Sequence, residues 1–242
     1  MMAKEAHGLW ANVKTIFWGV IIALVIRSLL FQPFTIPSGS MIPTLRIGDY
    51  IIVSKYSYGY SRFSFPFSPN ILGGSRLISS MPERGDVVVF RLPSDTSIDY
   101  VKRAVALPGD RVQMKDGRVY LNGALVPQKY MGCGDGNKPE ASCWRRVYME
   151  DLSGYEHLIM DSGVTRADNT REFLVPEGHV FMMGDNRDNS EDSRLSVGFV
   201  PMENLVGKAQ LVLFSVGEEF SLWAPSTYGD MFRLDRFFTI VD

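Results

Sequence analysis

The sequence predicts a mostly β domain of antiparallel sheets, carrying an inserted subdomain and preceded by one N-terminal transmembrane helix. Three observations predict it. An apolar run poor in charge lies near the start of the chain. Short strand-like runs between Gly, Pro, Asn and Asp turns follow, with hardly any sustained 3.6-residue apolar period. A more polar, irregular stretch then interrupts those runs at residues 124–172. With 45% hydrophobic and 21% charged residues, the 242-residue chain can bury one large core or two smaller ones. A net charge of -2 without any long basic block excludes a dominant nucleic-acid footprint.

Residues 1–10 are read as a short cytoplasmic N-terminus. From there the sequence runs ANVKTIFWGVIIALVIRSLLF, whose uninterrupted apolar part, Thr15 to Ile26, is short of the about 20 residues a span needs. Arg27 can snorkel to the head groups while Leu29, Leu30 and Phe31 continue the apolar surface, so a single spanning helix is predicted over 11–31. A cleaved secretory signal is the rival, with Lys4 and Lys14 as its basic start, but no small-x-small site follows the apolar run. A buried core helix is the third option. Orientation is barely encoded, since Glu5 offsets the two lysines and Arg27 lies at the far end.

Beyond the anchor, DYIIVS at 49–54, DVVVFR at 86–91, YVKRAVA at 100–106 and Arg111 to Met114 read as strands of one sheet system, with hairpin turns at Lys115-Asp116-Gly117 and Asn122-Gly123. Strands resume at His179 to Met183 and Ala209 to Val216. The β domain is therefore predicted to be discontinuous, 32–123 and 173–242, around the 124–172 insertion. The tail MFRLDRFFTIVD alternates bulky apolar with charged residues, which suits packing on the core and resting at a lipid interface equally. Cys133 and Cys143 lie in a Gly-rich polar loop, and a disulfide and two unpaired thiols are both open readings.

Three places can carry chemistry. In FQPFTIPSGSMIPTLRIGD, Ser38 and Ser40 sit among Pro37, Gly39 and Pro43, which shape the loop directly after the anchor. An ordinary turn is the plain alternative. Period-two alternation puts Lys102 on a strand face with Tyr100, Ala104 and Ala106 and no other charge. A lysine desolvated there has a lowered pKa and can serve as a general base, whereas one at a strand edge would only block pairing. The third place, MMGDNRDNSEDSR from Met182 to Arg194, packs acids, amides and arginines after a strand. Its acids Asp185, Asp188 and Asp192 are out of step with a calcium loop, so no metal is predicted. No phosphate-binding glycine loop is present, and no cofactor is predicted. The only histidines are His7, His157 and His179, and neither G-x-S-x-G nor H-E-x-x-H occurs. A serine nucleophile here would therefore pair with lysine rather than histidine.

Together, PSGSMIPTLRIGD at 37–49, RGDVVVF at 84–90, YVKRAVALPGD at 100–110 and GDNRDNSEDSR at 184–194 resemble the ordered boxes of bacterial type I signal peptidases. The resemblance implies a β catalytic domain and a membrane-bound serine endopeptidase that cleaves signal-peptide-bearing preproteins after small-x-small sites. It implies Ser40 as nucleophile, Lys102 as general base, and Ser38 beside the Ser40 backbone N–H as the oxyanion hole. It further implies that Ser190 hydrogen-bonds the lysine and that Asp185, Arg103, Asp192 and Arg194 form a supporting ion-pair network. Ile36, Pro37, Met41, Leu45, Tyr100 and Val101 are expected to line shallow pockets for small side chains, with an extended substrate pairing on the strand edge near Tyr100 to Lys102. The implied location is the outer face of the bacterial cytoplasmic membrane, in contact with lipid, which would permit a Cys133–Cys143 bond. Two other readings stand beside it: a self-cleaving Ser-Lys regulator, and a membrane-tethered β-rich binding or assembly module whose Ser-Gly-Ser loop is only a turn.

Overall fold

The computed structural model describes residues 2–66, 68–69, 73, 75–134, 143–217 and 231–241. Helix α1 runs Met2–Leu29, and its Trp10–Leu29 part is long and apolar enough to cross a membrane. Ile16, Phe17, Trp18, Val20, Ile22 and Leu24 are exposed along it, so the other described residues leave this stretch of the helix uncovered. The helix stops short of the expected residue 31 because strand β1, Phe31–Thr35, starts there and pairs with β2, Asp49–Ser54, Phe31 opposite Ser54. Leu30 alone separates helix from strand, and its carbonyl accepts from Lys55 N at 2.9 Å.

The remaining strands are β3 (Val87–Leu92), β4 (Asp95–Ala106), β5 (Arg111–Lys115), β6 (Arg118–Leu121), β7 (Ala124–Leu125), β8 (Gln128–Cys133), β9 (Arg146–Asp151), β10 (Glu156–Asp161), β11 (Phe173–Leu174), β12 (His179–Met183), β13 (Val200–Pro201), β14 (Leu205–Ser215) and β15 (Thr239–Ile240). All pair antiparallel. The main sheet is ordered β1-β2-β14-β3-β4-β12-β13 with β15 on β14. The Val-Val-Val-Phe run of β3 is buried on both faces. Val87 and Val89 join a core with Met41, Leu45, Ile51, Val53 and Val212, while Val88 and Phe90 join another with Ala104, Val180 and Met182.

Two parts depart from the sequence reading. Arg111 to Met114 was expected in the first sheet, but it lies in a separate four-stranded sheet, β11-β5-β6-β7, whose inner face packs Val112, Met114, Val119 and Leu121 against Val105, Phe181 and Met183. Both hairpin turns expected around it are present. Asp116, Gly117, Asn122 and Gly123 all have positive φ, the conformation a two-residue type I′ turn demands. Within 124–172, where the sequence shows only short runs, β8, β9 and β10 form a three-stranded sheet. Periodicity misses β8 and β9 because the charged Glu150 is their only buried residue, so no apolar alternation marks a face. Cys133 and Cys143 are disulfide-bonded. The tail resolves toward the core: β15 extends the main sheet along β14, and Val241 is buried with Met41 and Leu45.

Candidate active site

Ser40 lies in a 3-10 turn, Gly39–Met41, which begins where β1 has ended. The Asn186 side chain holds the turn by donating Nδ2 to Gly39 O at 2.9 Å, and its backbone N–H reaches Ser40 O at 3.1 Å. Gly184 stands against it so closely that a Cβ there would meet Ser40 O at 2.5 Å and Ser190 Oγ at 2.3 Å; only glycine fits. Lys102 comes from β4, opposite Val88 of β3, and is 3% exposed. Its amine donates to Ser40 Oγ at 2.7 Å and to Val101 O at 3.0 Å. Burial pushes that amine down to about 8, against the opposing pull of Asp192 and Asp185. A neutral amine at that distance can take the proton of the serine hydroxyl. Ser38 Oγ is 3.4 Å from Ser40 Oγ, on the exposed side of the loop.

Behind the lysine lies a dry ionic frame. Arg103 clasps Asp185 through Nε to Oδ1 at 2.8 Å and Nη2 to Oδ2 at 2.7 Å, and donates Nη1 to Gly85 O at 2.6 Å. Thr44 Oγ1 donates to the same carboxylate at 2.6 Å, linking it to the segment after Ser40. Burial works against the Asp185 charge, but the Arg103 guanidinium outweighs it and holds the carboxyl below its ordinary range. Asp192 and Arg194 repeat the pattern at 2.8 and 2.9 Å, again with the arginine overcoming burial. Asp192 also accepts from Gly184 N at 3.1 Å.

A cleft of about 690 Å³ opens over the pair. One wall is Phe34 to Ser38 from β1 and the Ser40 loop, another is Ile98 to Lys102 of β4, and a third is Thr165 to Ala167 with Arg187 to Glu191. β12 covers β4 only from Arg103 to Ala106, so among the described residues no strand pairs with the cleft side of β4 ahead of Arg103. Among the described residues no group of three or more His, Cys, Asp or Glu side chains could hold a metal.

The sequence model of the family described as signal peptidase, peptidase S26, matches residues 9–214. The chain belongs to that family. This peptidase is therefore a serine endopeptidase with signal peptidase I function. A signal peptidase I of Rickettsia typhi is 44% identical over 207 residues, covering 81% of this chain and 76% of its own. That of Rickettsia prowazekii is 43% identical over 221 residues, covering 88% and 80%. A crystal structure of a signal peptidase I from Enterococcus faecalis is 27% identical and covers 53% of this chain and 97% of its own, at a TM-score of 0.36, too low to bear on the fold described above.

Of the residues singled out in its sequence, the peptidase brings Ile36, Pro37, Ser38, Ser40, Met41, Tyr100, Val101, Lys102 and Ser190 to one cleft, with Asp185, Arg103, Asp192 and Arg194 behind it. Two expectations need correction. Leu45 is fully buried in the core with Met41 and Ile51 and does not reach the cleft, because it follows the turn and points under the sheet. Ser190 makes no hydrogen bond to Lys102. Its hydroxyl is near enough to Asp192 to favour that charge but meets no described group in hydrogen-bond geometry, the lysine's bonds going to Ser40 and Val101.

Other contributors were missed. Arg187 donates Nη1 to Glu150 Oε2 at 2.9 Å, with a second, shorter contact to Oε1, and both side chains are buried. Met160 N donates to Asp185 O at 2.8 Å and Arg187 N to Met160 O at 2.9 Å. The β8-β9-β10 sheet is thus bolted to the 184–194 loop, and the chain after β10 supplies the third cleft wall. His157 lies beside Glu150 with its Nε2 at 3.5 Å; burial, then Arg103, pushes it down to about 4, so it is neutral at pH 7. The buried position of Glu150 in a short strand had no sequence signal, but Asn186 and Gly184 lie inside a motif already singled out.

Proposed function

We propose that this chain is a membrane-anchored peptidase that removes signal peptides after small-x-small sites with a Ser40–Lys102 dyad. The observation that carries the reading is the buried Lys102 amine at 2.7 Å from Ser40 Oγ. Neutral Lys102 takes the Ser40 proton as Oγ attacks the scissile carbonyl, then delivers it to the leaving amine. Water activated by the same amine releases the acyl group. Charge on the carbonyl oxygen is met by the Ser38 hydroxyl and the Ser40 backbone N–H, where loss of one donor typically costs about 3 kcal/mol of barrier. Asp185, Arg103, Asp192 and Arg194 keep the lysine's surroundings fixed, and Ser190 packs beside them.

An extended preprotein segment fits the trough between the open side of β4 and the β1 wall, its small side chains against Ile36, Pro37, Met41, Tyr100 and Val101. Helix α1 would anchor the enzyme in the cytoplasmic membrane with the β domain on the outer face, where an oxidising environment suits the Cys133–Cys143 bond. The test is cleavage of a preprotein with an Ala-x-Ala site, with Ser40→Ala and Lys102→Met variants beside wild type and a Leu-x-Leu substrate as control. Turnover by either variant, or equal cleavage of the leucine substrate, would overturn the assignment. Self-limited cleavage of the purified enzyme alone would instead favour a self-processing regulator.

A further inference from the structure

The family match ends at residue 214, yet the chain after it returns to the nucleophile. Residues 231–241 run back along β14: Arg233 N donates to Ser215 O at 3.0 Å, Thr239 and Ile240 pair with Val212 and Leu211, and Val241 N donates to Gln210 O at 3.0 Å. Two contacts go beyond covering the sheet. Val241 is buried in the same cluster as Met41 and Leu45, one and five residues beyond Ser40. Arg236, itself buried, donates Nη2 to Thr44 O at 3.0 Å and grips the fully buried Asp49 carboxylate through Nε and Nη2. Asp49 in turn accepts from Arg46 N at 2.8 Å.

We propose that Arg236 is a positioning residue for the nucleophile, and that the C-terminal tail acts on catalysis through this one side chain. The geometry gives it a direct line. Thr44 is held from one side by Arg236 on its carbonyl and from the other by Asp185 on its hydroxyl, and Ser40 lies four residues upstream in the same tight loop. With Arg236 gone, the 44–49 segment keeps its ties to Asp185 and, through Ile47 O at 2.8 Å, to Arg233, but loses those on Thr44 O and the Asp49 carboxylate. The loop is then free to shift by a fraction of an ångström along the direction that sets the Ser40–Lys102 distance. A displacement approaching 1 Å costs about 100-fold in rate. The Asp235 side chain, one residue before, meets only Arg46 among the described residues, at 4.0 Å on the surface, and provides the neighbouring control.

The inference rests on Ser40 being the nucleophile, and the experiment separates the two. Sites are first counted by intact mass after acylation of Ser40 with an acylating inhibitor, and turnover of an Ala-x-Ala peptide is then expressed per titrated site. Absence of Ser40 labelling in wild type would sink the nucleophile assignment itself. With labelling established, Arg236→Met is expected to lower kcat per titrated site by about 10- to 100-fold with KM within about twofold, Arg236→Lys to restore part of it, and Asp235→Ala to match wild type. Because Arg236→Met alone leaves Asp49 unpaired, the double variant D49N/R236M removes both charges and is expected to fold while keeping the kcat loss. If the variants lower only the number of titratable sites and each remaining site turns over normally, the tail is structural and the inference is wrong.

Discussion

Lys102 gives the sharpest prediction, because one side chain sets both rate and stability in opposite directions. Its amine is lowered from 10.5 to about 8, and the first cause is burial. At pH 7 about one enzyme in ten then carries the neutral base, against about one in 3,000 for an unperturbed lysine, a gain of about 300-fold. kcat/KM should rise tenfold per pH unit below 8 and level off above it. For stability, the unfolded chain holds more protons than the folded one between pH 8 and 10.5, so stability climbs with pH across that window. The full penalty applies below 8 and vanishes above 10.5. A shift of this size is worth about 3 kcal/mol at pH 7. Lys102→Met should therefore abolish cleavage, raise unfolding free energy at pH 7 by up to about 3 kcal/mol, and flatten its slope between pH 8 and 10.5. Urea denaturation from pH 6 to 10.5, paired with peptide cleavage over the same range, measures both. A wild-type rate profile with its midpoint near 10.5, or a methionine variant less stable than wild type at pH 7, would refute a desolvated base.

Three more outcomes follow from the frame around the dyad. Gly184→Ala places a methyl 2.5 Å from Ser40 O, so kcat should fall about 100-fold, and stability by about 1–3 kcal/mol; acylation rates of Ser40 and thermal melts report the two. Asp185→Ala strands the buried Arg103 guanidinium and should cost about 3–5 kcal/mol in urea unfolding, with a loss under 1 kcal/mol counting against the ion pair as a structural element. Asn186→Ala removes the bond to Gly39 O and should slow turnover while leaving the pH midpoint near 8, since the lysine's burial is untouched; a shifted midpoint would mean that Asn186 also sets the base.

Each half of the proposed dyad leaves only a faint local mark, two serines in a proline-restricted loop and a lysine on a strand face with no other charge, and an ordinary turn and an edge lysine look the same; the four ordered motifs, not those marks, single the pair out. The strands from Asp49 to Ser54 and His179 to Met183 were legible because their apolar runs are short and bounded. What stayed hidden depends on distance along the chain. Glu150 meets Arg187, and Arg236 meets Asp49, across 37 and 187 positions, and no periodicity encodes such a meeting. The Ser190 expectation failed differently. A motif says which residue types assemble, but the partner of one freely rotating hydroxyl depends on tenths of an ångström.

The junction between α1 and β1 has a consequence for which chains are cut. No slack exists there: Leu30 is the sole intervening residue, Tyr60 Oη caps the helix end on Leu29 O at 2.9 Å, and Lys55 N fastens Leu30 itself. With α1 embedded as proposed, the cleft cannot wander on a tether. It works at one altitude above the bilayer, like a blade on a fixed mount, and a preprotein qualifies only by raising its susceptible bond to that level. Soluble peptides escape this gauge, whereas lipid-inserted substrates of graded apolar length should be cut with a narrow optimum.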